Sequence, residues 1–140
     1  MKAERIEILI KHRLQQASEA LNDARILLNN QGSPRSIVNR SYYALFYAAL
    51  ALLQRIGAVP SKHSGAISIF DREFSGKGIL PKELSKSLHK AFELRQTSDY
   101  KVIEPVSVDE AESIFGEAVV FVDAVSEYLL HLSDNRLESG

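Results

Sequence analysis

The chain has 140 residues, 45% of them hydrophobic and 25% charged, with a net charge of -1 and no cysteine. That balance describes one ordinary globular domain and excludes disulfides, thiolate metal sites and a cysteine nucleophile. No apolar run reaches the ~18 residues of a bilayer span, and the start, Met1-Lys2-Ala3-Glu4-Arg5, lacks a signal-peptide core, so the expected location is the cytoplasm.

Residues 4–29 read as a first long helix. Ile6, Leu9, Leu14, Ala17, Leu21, Ala24 and Leu28 recur at three- and four-residue steps. Asn29-Asn30-Gln31-Gly32 ends it with residues that tolerate left-handed backbone. Ser33 and Pro34 then open a second helix as N-cap and first helical residue. It runs to about Arg55 and stops at Gly57, with Pro60 beyond.

From Asn39 to Leu53 this second helix is apolar nearly all round, which predicts a central, buried element. Ala44, Ala48 and Ala51 allow another helix to approach closely, and Tyr42, Tyr43, Phe46 and Tyr47 form an aromatic group suited to a core, a dimer interface or base stacking. Arg40 is the polar exception. It has no acid within four residues, so a partner is expected from Asp99, Glu93 or a helix C-terminus.

Ser61 is placed to cap a short third helix carrying Ala66, Ile67, Ile69, Phe70 and Phe74, broken by Gly76-Lys77-Gly78. Pro81 starts a fourth, with Leu84, Leu88, Ala91 and Phe92 inward. After a break around residues 100–105, Ser107 and Glu110 form a capping box. A last helix follows, with Ile114, Ala118, Phe121, Val125, Leu129 and Leu132 as its stripe. The fold class is therefore all-α: an up-and-down four- to five-helix bundle in a single domain over 1–140, with its core at about 5–132 and a flexible tail at 133–140.

Charge is unevenly distributed. Residues 33–101 hold eleven Lys/Arg against five Asp/Glu, whereas residues 102–140 hold one Arg against nine acids. The basic middle can meet phosphates, or the acidic segment, within the fold or across a dimer.

Arg95 is the sharpest candidate. It continues the stripe of Leu84, Leu88 and Ala91, so its guanidinium emerges where the helix faces its neighbours. Two readings stay open: an anion site gripping phosphate through bidentate hydrogen bonds, or a local pair with Asp99 one turn later. Tyr100 supplies a phenol nearby. His63, at the start of the short helix, becomes an acid or base if folding brings it to Arg95. The four histidines have no metal-ligand spacing, and no phosphate-loop, Rossmann or nucleophile-elbow motif occurs. No metal and no cofactor is expected.

Three blocks together, Arg40-Ser41-Tyr42-Tyr43-Ala44-x-Phe46-Tyr47-Ala48-Ala49, Lys62-His63-Ser64-Gly65 and Leu94-Arg95-Gln96-x-x-Asp99-Tyr100, resemble the small stand-alone HEPN-domain proteins of bacteria and archaea. The resemblance covers about residues 5–132. It implies a helical bundle that forms a homodimer, and a minimal nucleotidyltransferase as companion in a toxin–antitoxin-like pair. Catalytic members are metal-independent ribonucleases whose motif is an arginine followed, after four to six residues, by a histidine. Arg95 matches the arginine, and Tyr100 stands where the histidine falls with four residues between. The implied function is a dimer binding nucleotide or RNA phosphate, or the nucleotidyltransferase, through Arg95, Asp99, Tyr100 and Arg40. The alternatives are a ribonuclease using Arg95, Tyr100 or His63, and a purely structural interaction module.

Overall fold

A computed structural model describes the backbone of residues 2–100 and 105–139, and the side chains of residues 2–98 and 105–133. Five α-helices follow in order: α1 (Lys2–Asn29), α2 (Pro34–Arg55), α3 (His63–Phe70), α4 (Lys82–Tyr100) and α5 (Val108–Ser139). A π-helical turn, Asp71–Ser75, runs on from α3. There is no strand among the described residues.

The ends of α2 are closed as its sequence dictates. Ser33 Oγ accepts from the Ser36 N–H at 3.2 Å, and Pro34 is the first helical residue. At the other end Gly57 adopts φ +74°. The Gly57 N–H reaches the Gln54 carbonyl at 3.1 Å and the Ala58 N–H the Leu53 carbonyl at 2.9 Å, the paired bonds of a Schellman cap. The turn after α1 has the same form, but its left-handed residue is Gln31, φ 58°, and not an Asn or Gly. Gly32 follows because a Cβ there would lie 2.6 Å from the Leu27 side chain. So short a turn folds α2 back antiparallel along α1.

The central position expected for α2 is found. It packs against α1, α3, α4 and α5, most extensively against α1. Ala44, Ala48 and Ala51 are fully buried, as are Ala17 and Ala24 of α1, so the small residues are used up inside the chain's own helix seams. At the far end Arg55, its side chain 9% exposed, pairs with Glu7 at 2.6 Å and clasps α2 to α1. One turn of α1 departs from the expected stripe: Ile10 is buried, while Leu9 is exposed.

The segment after α3 was expected to be a plain helix. It widens instead to π geometry, with the Gly76 N–H reaching back five residues to the Asp71 carbonyl at 2.6 Å. Asp71 is held from α4: Ser85 Oγ donates to one carboxylate oxygen at 2.6 Å and His89 Nε2 meets the other at 2.5 Å. Lys62, not Ser61, occupies the N-cap position of α3, and its side chain makes no capping bond. Phe70 and Phe74 turn inward to α5, with Phe70 5.5 Å from Phe121 and Phe74 6.3 Å from Tyr128.

The capping box of α5 forms in both directions. The Glu110 N–H reaches Ser107 Oγ at 3.1 Å, and the Ser107 N–H reaches Glu110 Oε1 at 3.2 Å. Replacing Ser107 with alanine is expected to cost ~1 kcal/mol, which a thermal melt reads as a fall of about 3 °C in Tm. The backbone of α5 stays helical to Ser139, beyond the expected end at Leu132. The break expected after α4 falls partly on residues 101–104, outside the described residues.

Candidate functional site

Between Ser41 and Leu53 every residue of α2 is buried except Tyr43, Tyr47 and Leu50. Helical periodicity places these three on one face with Arg40 before them and Gln54 after, and all five are half-buried. The most enclosed helix of the bundle therefore shows solvent a single stripe, and α2 contains no Asp or Glu.

Two arginines converge on the upper part of this stripe. The Arg95 guanidinium, from α4, lies 5.4 Å from the centre of the Tyr42 ring and 5.2 Å from that of Tyr43. Arg40 lies 5.2 Å from the same Tyr43 ring. The two guanidiniums are thus within about 10 Å of each other. Arg40 finds neither Glu93 nor a helix C-terminus as its partner. Its Nη2 and Nε donate to Asn39 Oδ1 at 2.8 and 3.1 Å, a neighbouring neutral amide; the remaining expected partner, Asp99, has its side chain outside the described residues. Arg95 Nε is buried without a hydrogen-bond partner. Among the described residues neither arginine is paired with a carboxylate. Asp99 and Tyr100 sit in the last turn of α4, but their side chains lie outside the described residues.

Folding brings His63 to this place. Its Nδ1 is 2.7 Å from the Tyr42 hydroxyl, and its ring stacks on Phe46 with centres 4.0 Å apart and planes at 16°. Burial pushes the Tyr42 phenol far above the ordinary tyrosine range, against the opposing pull of Arg95. Burial, then the Arg95 charge, holds the His63 imidazole below its usual value. Tyr42 therefore keeps its proton, and the ring beside it is favoured in its neutral form, in which one nitrogen donates and the other accepts.

This predicts a pH dependence. Because the folded state disfavours protonated His63, the unfolded chain takes up the proton first as pH falls. Stability is full above the unfolded value of ~6.5 and declines below it, until the depressed folded value is passed. Urea midpoints measured between pH 8 and pH 5 should fall, with less of a fall in His63→Asn.

Two hollows flank the stripe, and neither is legible in the sequence, because each is walled by residues from separate elements. One, of about 560 Å³, is lined by Leu27, Ser33, Arg35, Ser36, Asn39 and Arg40. The other, of about 240 Å³, lies between α1, α2 and the 58–62 loop, with Arg13, Phe46, Gln54, Pro60, Lys62 and His63 in its wall. Among the described residues no group of three or more His, Cys, Asp or Glu can hold a metal, and no helix is long and apolar enough to cross a membrane.

The HEPN domain family model matches residues 10–128. A "UPF0332 protein" of Thermotoga maritima is 39% identical over 88% of this chain and 92% of its own length. Two proteins of Methanocaldococcus jannaschii, each named "Putative toxin", are 38% identical over 81% of this chain and 83% of their own length in one case, and 31% over 84% and 79% in the other.

Proposed function

Because the chain belongs to the HEPN domain family, we propose that it is the toxin-like member of a two-component system, a homodimer that binds the phosphates of RNA or a nucleotide through Arg95 and Arg40. The toxin names carried by two relatives support the first part. The homodimer and a minimal nucleotidyltransferase as companion rest on the resemblance to stand-alone HEPN proteins.

One observation carries the phosphate reading: two guanidiniums share the Tyr43 ring with no carboxylate between them among the described residues. The two like charges stand on one ring and repel each other. A phosphate held by either guanidinium offsets that repulsion and offers it a bidentate acceptor. The tyrosine faces hold the cations meanwhile by cation–π attraction.

Phosphate binding is favoured over strand cleavage by the state of His63. Its Nδ1 is already in a hydrogen bond with the Tyr42 hydroxyl, and burial and the Arg95 charge disfavour its protonated form, so it is a weak proton acceptor at this site. Labelled single-stranded RNA, incubated with the protein in EDTA, tests both readings. Retention of the RNA intact on the parent and its release from Arg95→Ala support binding. Cleavage that disappears in His63→Asn means that the ribonuclease reading replaces it.

A further inference from the structure

We infer that the apolar groove between α4 and α5 is a docking site for a basic amphipathic helix of a partner protein. The groove lies on a different face of α4 from Arg95, so it is independent of the phosphate reading.

The groove is a hollow of about 470 Å³. Leu84 and Ser87 of α4 and Ser113, Gly116 and Val120 of α5 wall it, with Glu83 and Lys86 at the α4 lip. At its base the two helices are tied by polar contacts: Ser87 Oγ donates to Glu117 Oε1 at 2.8 Å, and Lys90 Nζ to Oε2 at 3.1 Å. Val120 is 62% exposed, and Leu130, further along the same face of α5, is 65% exposed.

Gly116 shows that the fold itself does not use this space. A glycine inside a helix destabilises it relative to alanine, and a close packing contact normally accounts for it. Here a Cβ would meet nothing within 4 Å. What the missing side chain permits is the close approach of a second backbone from outside, as when a helix lies in a groove with apolar anchors at successive turns.

Charge identifies the occupant. Helical periodicity places Asp109, Glu112, Asp123 and Glu127 on the face centred on Gly116. All four are exposed, and none belongs to an ion pair among the described residues. From Val108 to Ser133 α5 contains no Lys or Arg. A partner helix whose Lys or Arg flank an apolar stripe pairs with these carboxylates while it covers Val120 and Leu130. A neutral helix leaves them desolvated without a partner, and an acidic helix or a nucleic acid is repelled. Lys86, across the groove on α4, sets the side on which the partner's cations lie. From residue 109 to residue 130 the face is about 32 Å long, room for a helix of about 20 residues.

Three labelled peptides of about 20 residues test the groove by fluorescence anisotropy: leucine and lysine in amphipathic order, the same residues scrambled, and leucine and glutamate in amphipathic order. The first should bind at least about 10-fold more tightly than either of the others. Gly116→Leu fills the groove from a position where a side chain has open space. It should weaken the first peptide about 10-fold without lowering the Tm of the free protein. If it does melt earlier, Val120→Ser, at an exposed position, carries the same test. Asp123→Asn combined with Glu127→Gln should weaken binding and flatten its dependence on salt. Equal binding of the three peptides, or parental affinity in the groove variants, overturns the proposal. So does a parent oligomer that comes apart in Gly116→Leu by light scattering, which assigns the groove to a second copy of the chain.

Discussion

Arg95→Ala is expected to weaken binding of single-stranded RNA by about 10- to 100-fold, equivalent to ~1.4–2.8 kcal/mol. The loss is that of a charge-assisted, bidentate contact. Arg95→Lys should recover only part, since an ammonium keeps the charge but not the planar fork that lies over Tyr42 and Tyr43. The signature of a phosphate contact is its dependence on salt: the slope of log affinity against log salt should become shallower by ~0.7 for each phosphate released. Adding Arg40→Ala should shift the slope again, because that guanidinium stands on the same ring. An unchanged slope with weaker binding assigns Arg95 a role in shaping the surface and not in gripping phosphate. The same variant removes a charge that holds His63 down, so the imidazole should titrate at higher pH; histidine NMR shifts read this separately from binding.

Phe121→Ala is expected to be the most destabilising single change in the core. The ring is fully buried on α5 and meets Phe70 at the start of the π-helical turn. Truncation removes the hydrophobic contribution and leaves a cavity that surrounding helices fill only in part, at a cost of ~3–5 kcal/mol. Against a typical total of ~5–15 kcal/mol this is a large fraction. The urea midpoint should fall by the corresponding amount, with the slope of the transition unchanged. A loss below ~1 kcal/mol means that the α3–α5 contact is not part of the cooperative core.

What the sequence disclosed was local. Ser33-Pro34, Gly57 and the Ser107–Glu110 box mark helix ends because each satisfies backbone groups within a few residues. The apolar run from Asn39 to Leu53 marks a central helix because no other place can accept it. The undisclosed features were settled by long-range contacts or by rival local ones. The π-helical turn forms where Asp71 is held by Ser85 and His89, fourteen and eighteen residues away. His63 becomes part of the arginine site only because Tyr42, twenty-one residues earlier, meets its ring. Arg40 was expected to find Asp99, Glu93 or a helix C-terminus; among the described residues it meets the adjacent Asn39 amide and the Tyr43 ring, contacts that no charge pattern announces. The alanine row promised a close helix approach without naming the partner; that approach is made inside the chain, where its residues are enclosed.

The enclosure of α2 on every side but one separates two kinds of inheritance. A change at residues 43, 47 or 50 alters what the molecule touches and loosens only the outer edge of the packing, whereas a change at 44, 45, 48 or 52 disturbs the interior and leaves the outer face as it was. Descendants of one ancestral bundle can therefore drift toward different targets along a single line of side chains, without passing through unfolded intermediates on the way.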